Sequence, residues 1–160
     1  EFTGIYNSPD STAMSGTFTV ANQAAAIEVN DTNITTATFH GETSQRLESF
    51  DLALNNEVVY KETASSKEVL ITNRAPGGTA VVEEPVRATT DYFSKAETAA
   101  TGNSSIVLGS SAGNIVTVNV PQTDITGVSR GDTNGVNSLN LPYLALPTTA
   151  GNNELSIVMT

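Results

Sequence analysis

The sequence has no cysteine and no tryptophan, a single histidine, and only 15% charged residues, of which seven side chains are basic. Without cysteine there is no disulfide, no thiolate nucleophile and no thiolate metal ligand. One histidine, His40, excludes a multi-histidine metal centre and makes any Ser-His-Asp triad depend on that residue. No Gly-x-Ser-x-Gly elbow accompanies it. Its place beside Gly41 at the end of an expected strand predicts a solvent-exposed or hydrogen-bonded imidazole. Also missing are any apolar run near the roughly 18 residues that span a bilayer and a basic amino-terminal segment followed by an apolar core. No membrane partner is expected.

Seventeen acidic against seven basic side chains give a formal net charge of −10. A surface so negative repels a phosphate backbone, so sequence-specific nucleic-acid binding is not expected. The 160 residues fit one domain with a true hydrophobic core. Thr, Ser, Asn, Ala and Gly fill the space left by charged residues, a mixture poor in strong helix formers and rich in strand and turn residues. The expected class is mainly β, a sandwich or barrel-like sheet with one flanking helix. Glu1-Phe2-Thr3-Gly4-Ile5-Tyr6 opens inside what reads as a strand with no initiator Met, which suggests that residues 1–160 are one domain cut from a longer chain.

Strands are predicted at Phe2 to Tyr6, Thr17 to Val20, Ala24 to Val29 and Ile34 to Phe39, with a turn at Asn7-Ser8-Pro9-Asp10. From Leu47 the residues alternate, with Phe50, Leu52 and Leu54 on one face. Asn55-Asn56 then reads as a tight turn into Glu57-Val58-Val59-Tyr60-Lys61-Glu62, which predicts a hairpin. Glu68 to Asn73, Thr79 to Glu83, Ile106 to Gly109, Ile115 to Val120, Asn137 to Leu146 and Glu154 to Met159 complete the strands. Helical spacing occurs once, at about Asp91 to Ala100, with Thr90 or Asp91 as cap and Gly102 as stop. The last thirty residues, Gly131 to Thr160, read as a closing hairpin with turns at Gly131 to Gly135 and Thr148 to Asn153. Pro142, lacking an N–H, predicts an edge or a bulge there, with Tyr143 to Pro147 turning away. Leu155, Ile157 and Met159 are expected to complete the core, so that deleting the last strand abolishes folding.

Chemistry-bearing patterns are few. Glu83-Glu84 offers two carboxylates, but strand neighbours point to opposite faces. Asp132-Thr133-Asn134-Gly135 opens like a calcium loop, yet the later acidic ligands are missing. Gly109-Ser110-Ser111-Ala112-Gly113 has no Lys and no following helix, so it is not a phosphate loop. Asn30-Asp31-Thr32, Asn33-Ile34-Thr35 and Asn103-Ser104-Ser105 match the glycosylation pattern, which arises by chance in so Asn-, Ser- and Thr-rich a chain. No catalytic residue, metal ligand or cofactor is expected, and the protein is read as not an enzyme.

Four stretches, in order along the chain, resemble the tail tube (major tail) proteins of long-tailed bacteriophages, in particular the carboxy-terminal domain of the two-part kind. Glu1 to Tyr6 is similar to that family's Phe-x-Thr-Gly entry strand. Ser49 to Glu62 is similar to its hairpin with Asn-Glu-Val-Val before a basic residue. Val69 to Gly78 is similar to its strand ending in Thr-Asp-Arg-x-Pro-x-Gly, here Asn73, Arg74, Pro76, Gly77 and Gly78, with Asn73 where the family pattern has Asp. The closing stretch, with Gly151-Asn152-Asn153-Glu154 and Leu155-Ser156-Ile157, is the fourth.

The resemblance implies a β-sandwich with a flanking helix. It further implies subunits that self-associate by strand pairing into hexameric or pseudo-hexameric trimeric rings, stacked with other phage tail proteins into a conduit for DNA ejection. It places the protein in the virion after synthesis in the bacterial host cytoplasm. DNA would pass without specific binding, and Glu48, Asp51, Glu57 and Glu62, on the outer faces of the expected hairpin, are candidates for the lumen. A different class shares the composition: a secreted or cell-surface β-sandwich that serves in adhesion or carbohydrate binding. A metal-free hydrolase would rest on His40 alone.

Overall fold

The structure is a computed structural model and describes residues 27–43 and 45–160. The strands expected at Phe2 to Tyr6 and Thr17 to Val20, the turn at Asn7 to Asp10, and most of the strand at Ala24 to Val29 lie outside the described residues. Residues 27–29 of the last run without strand pairing.

In chain order the elements are β1 (Ile34–Thr38), β2 (Leu47–Phe50), β3 (Asn56–Thr63), β4 (Ser66–Arg74) and β5 (Gly77–Glu83). There follow α1 (Tyr92–Glu97), β6 (Thr101–Leu108), β7 (Val116–Ile125), β8 (Ser129–Thr133), β9 (Val136–Leu146) and β10 (Ser156–Met159). The fold is mainly β and sandwich-like, with one short helix, as composition predicts. It divides into two compact units. One holds residues 27–55 and 75–160, and the other includes the β3–β4 ribbon.

The larger unit is a single antiparallel sheet that forks. Its path runs β1-β6-β7-β9-β5-β2, with β10 also on β7 and β8 also on β9. β7 pairs with β10 over Val116 to Asn119 and with β9 only over Gln122 to Ile125. β9 pairs with β8 over Val136 to Asn140 and with β7 over Tyr143 to Leu146. Two four-stranded leaves result, β1-β6-β7-β10 and β8-β9-β5-β2. A proline marks each fork point: Pro121 lies between the two partners of β7, and Pro142 between the two partners of β9. The carbonyl of Pro142 faces this gap, accepting the Thr126 N–H at 2.9 Å. In a strand a residue's N–H and C=O point to the same side, so the N–H that proline lacks would face the same gap. Proline there costs no ladder bond.

The expected edge or bulge at Pro142 is therefore corrected to a fork in a central strand, and Tyr143 to Leu146 continue β9 instead of turning away. The expected closing hairpin is corrected too: β9 pairs back to β8 through Asn134-Gly135, and the last strand joins β7. That turn holds both residues at positive φ, 54° and 86°, which Asn and Gly tolerate.

The core lies on one face of the second leaf. Along β9, Leu139, Leu141, Tyr143 and Ala145 are buried while Pro142 and Leu144 between them are exposed, the period-two signature of a strand covered on one side. Val82 stands opposite Leu139 and Ala80 opposite Leu141. The Phe50 ring stacks on Tyr143 at 5.3 Å, Phe39 meets Tyr143 edge-on at 5.8 Å, and Tyr92 of α1 joins the cluster. The Tyr143 hydroxyl donates to the Asp51 carbonyl at 2.7 Å.

The hairpin expected between Leu47 to Leu54 and Glu57 to Glu62 does not form: β2 pairs with β5 and β3 with β4. A register shift between Leu47 and Ser49 turns Leu47, Phe50 and Leu52 toward the core, which draws this segment to β5. Leu54 is left exposed, and Asn55 redirects the chain with φ 48°.

Asp91 caps α1 as expected, its Oδ1 accepting the Ser94 N–H at 3.1 Å. The helix is shorter than predicted. Ala99 takes φ 48°, and the Ala100 and Ala99 N–H groups return to the carbonyls of Lys95 and Ala96, a Schellman ending with Ala where Gly is usual. Gly102 lies inside β6 and stops nothing.

All four β10 side chains are exposed, Ile157 by 55% and Met159 by 78%, so they do not complete the core. Removing residues 154–160 is expected to leave a folded, cooperatively unfolding protein, whereas Leu141→Ala costs about 2–5 kcal/mol. Urea unfolding compares the two, and a truncation more damaging than Leu141→Ala would contradict this assignment.

Candidate assembly edges and a buried polar ladder

His40 sits where a strand becomes a turn, at φ 51° and 5% exposed. Of the two expected states, solvent-exposed or hydrogen-bonded, the second holds. Its Nε2 lies 2.8 Å from the Ala100 carbonyl, which fixes the hydrogen on that nitrogen. Its backbone N–H donates to Ser104 Oγ at 3.0 Å. Ser104 Oγ is 3.0 Å from Thr123 Oγ1, which donates to the Gly102 carbonyl at 2.6 Å. Because Thr123 spends its hydrogen on Gly102, Ser104 donates to Thr123. A directed ladder thus runs from β1's end through β6 to β7. A Cβ on Gly102 would lie 2.7 Å from both the His40 carbonyl carbon and Nδ1, so glycine lets the imidazole in.

Beside it, Lys95 Nζ is 2.6 Å from Glu42 Oε1 and stands over the Tyr92 ring. Burial, then the charge of Glu42, pushes the Tyr92 hydroxyl above its ordinary ionisation range.

A cleft of about 350 Å³ opens nearby, lined in part by Glu42, Arg46, Glu83, Glu84 and Thr90. Glu83 and Glu84 both line it, because β5 ends at Glu83 and the opposite-face rule lapses there. Each carboxylate has its own cation: Arg46 for Glu83 at 3.0 Å, Arg130 for Glu84 at 2.9 Å, Lys95 for Glu42. Among the described residues no group of three or more His, Asp or Glu is arranged to hold a metal, and no helix is long and apolar enough to cross a membrane. At Asp132 the carboxylate serves the turn, accepting the Gly135 N–H at 3.1 Å.

The four acidic residues singled out for a lumen fall on two units. Glu48, on β2, accepts from Thr133 Oγ1 at 2.8 Å, and Asp51 follows β2 as an exposed residue. Glu57 and Glu62 belong to the β3–β4 ribbon, and its register puts them on opposite faces. Glu62 is paired with Lys67 at 2.8 Å; that contact, then the Tyr60 hydroxyl, holds its carboxyl below the ordinary range. Both faces of the ribbon are exposed. Val58, Tyr60 and Ile71 share one face and Val59 and Leu70 the other, with ion-paired residues nearer the Ala64-Ser65 turn.

The family-like stretch straddles the two units. Asn73 Oδ1 accepts the Arg74 N–H at 2.9 Å within the ribbon. The Pro76 carbonyl accepts the Ala145 N–H, and Gly77 exchanges both backbone bonds with Ala53. A Cβ on Gly78 would run into the Asp51 carbonyl, so Gly78 lets the segment after β2 lie across β5, while a Cβ on Gly77 would lie 2.6 Å from the Tyr143 carbonyl oxygen of β9.

Sequence reasoning missed the contrast between strand edges. In the second leaf the edge strands carry charge: Glu48 on β2, Arg130 and Asp132 on β8. In the first leaf β1 (ITTAT) and β10 (SIVM) carry no charge and no proline, two of the guards against edge pairing; what protects them is short length and, in β1, the register irregularity between Ile34 and Thr36. Apolar rows cross this leaf from one bare edge to the other. Ile157 stands opposite Val118, Val118 opposite Ile106, and Ile106 opposite Ala37. The next row on that face runs through Met159, Val116, Leu108 and Ile34. The absence of charge at 34–38 and 156–159 was readable; which strands end up at edges was not.

No protein-family model, curated protein or solved structure matches this chain.

The ladder yields a direct test. Ser104→Ala strips the buried His40 N–H of its acceptor and should cost about 1–3 kcal/mol in denaturant unfolding. A loss below about 0.5 kcal/mol, the low end for a single bond, would mean the ladder is not a fastening.

Proposed function

We propose that this chain is a structural subunit of a bacteriophage tail tube, working by self-association into hexameric or pseudo-hexameric trimeric rings that stack, with other tail proteins, into a conduit for DNA. The observation that carries the reading is the pair of uncharged, proline-free edges that one leaf shows among the described residues of an otherwise acidic protein. Soluble proteins guard such edges unless they use them. The charge balance supports the same reading. The β3–β4 ribbon holds three acidic residues (Glu57, Glu62, Glu68) and three basic ones (Lys61, Lys67, Arg74), so the net −10 resides entirely in the rest of the chain.

A conduit for nucleic acid works best when its wall does not bind phosphate, and an acidic surface meets that need. With the ribbon balanced, Glu48 and Asp51 are better lumen candidates than Glu57 and Glu62. The site of action is the virion, after synthesis in the bacterial cytoplasm.

Subunits of charge −10 repel one another, so added salt should strengthen association by screening. Sedimentation velocity over a concentration series at low and high salt, with negative-stain microscopy of the same samples, is expected to show rings or tubes that increase with both variables. Monomers throughout would overturn the reading and favour an adhesion or carbohydrate-binding module.

A further inference from the structure

We infer that neighbouring copies join through β10 of one and β1 of the next, paired antiparallel, so that the leaf β1-β6-β7-β10 continues from subunit to subunit. This rests on the tube reading for one point only: a ring requires a head-to-tail contact between two different patches. The rest comes from the leaf itself. Of the four strands that stand at an edge among the described residues, β1 and β10 lack charge, and they are the two edges of the same leaf. Among the described residues each is paired on one side only.

Direction follows from the ladder. β1, β6, β7 and β10 are successively antiparallel, so β10 runs antiparallel to β1. A neighbour whose leaf continues in the same orientation therefore presents β1 antiparallel to β10. Faces match as well. The rows that end at Ile157 and Met159 begin at Ala37 and Ile34, so continuing the sheet sets apolar residues beside apolar residues. On the opposite face Val158, Thr117, Val107 and Thr36 form the row between them. Continuation brings Val158 of one copy beside Thr36 of the next. No charge is desolvated at this contact, which matters for subunits that repel at long range.

The absence of native cysteine allows a clean test by cross-linking. Thr36 and Val158 are both exposed, so replacing them leaves the core intact. Mild oxidation of the double variant Thr36→Cys/Val158→Cys is expected to give a ladder of covalent oligomers that stops at the ring size, with neither single variant cross-linking. Val158→Cys forming dimers alone would overturn the proposal in favour of a two-fold β10–β10 contact. Tubes seen by microscopy without a ladder would overturn this pairing and leave the tube reading standing. A ladder without tubes would support the pairing and sink the tube, and neither ladder nor tubes would sink both.

Val158→Lys adds the guard that β10 lacks and requires no disulfide geometry. It should keep the circular dichroism spectrum and the urea midpoint while weakening association about tenfold or more. Unchanged association would contradict the assignment.

Discussion

Four residue pairs between β7 and β9, Gln122 to Ile125 against Tyr143 to Leu146, hold two leaves in one sheet. Everything else in the larger unit depends on that short seam. On one side of it each central strand changes partner, β7 from β10 to β9 and β9 from β8 to β7. Pro121 and Pro142 occupy the places where neither partner is present. The same seam sets Tyr143 beneath Phe50 and Phe39, with its hydroxyl on the Asp51 carbonyl, so the joint and the core share one residue. A fork also creates edges. A plain six-stranded path would have two, and among the described residues this one has four, which is what allows one leaf to carry charged edges and the other uncharged ones.

Much of the fold was legible where a local rule decides it. The β-rich run Asn137 to Leu146 marks β9, and Asp91 at the head of a short apolar-periodic run fixes the start of α1. Legibility failed where the decision is long-range. Asn55-Asn56 is good hairpin chemistry, yet β2 goes to β5 because Leu47, Phe50 and Leu52 find the core there. Leu155, Ile157 and Met159 have the spacing of one strand face, but spacing says only that they share a face and is silent on whether anything covers it. Pro142 signals a missing ladder bond, and only the pairing pattern shows that the bond is missing because the sheet divides.

The candidate site followed the same division. His40 was recognisable as a single histidine with no catalytic partners in sequence. Its role in fastening β1's end to β6 and β7 needed Gly102, Ser104 and Thr123, which lie more than sixty residues away. In a single hairpin Glu48, Asp51, Glu57 and Glu62 would all lie on its outer faces. Once the ribbon pairs β3 with β4, Glu62 is balanced by Lys67, and most of the acidic excess lies in residues 27–55 and 75–160. The functional reading therefore rests less on where carboxylates gather than on which edges lack them.

Amide hydrogen exchange, read residue by residue in dilute low-salt protein and again in the high-salt assembled state, tests the central claim most directly. The account predicts that outward amides of β1 and β10 become protected together on assembly, while those of β2 and β8 keep their exchange rates. Protection gained at β2 or β8, with β1 and β10 unchanged, would contradict it.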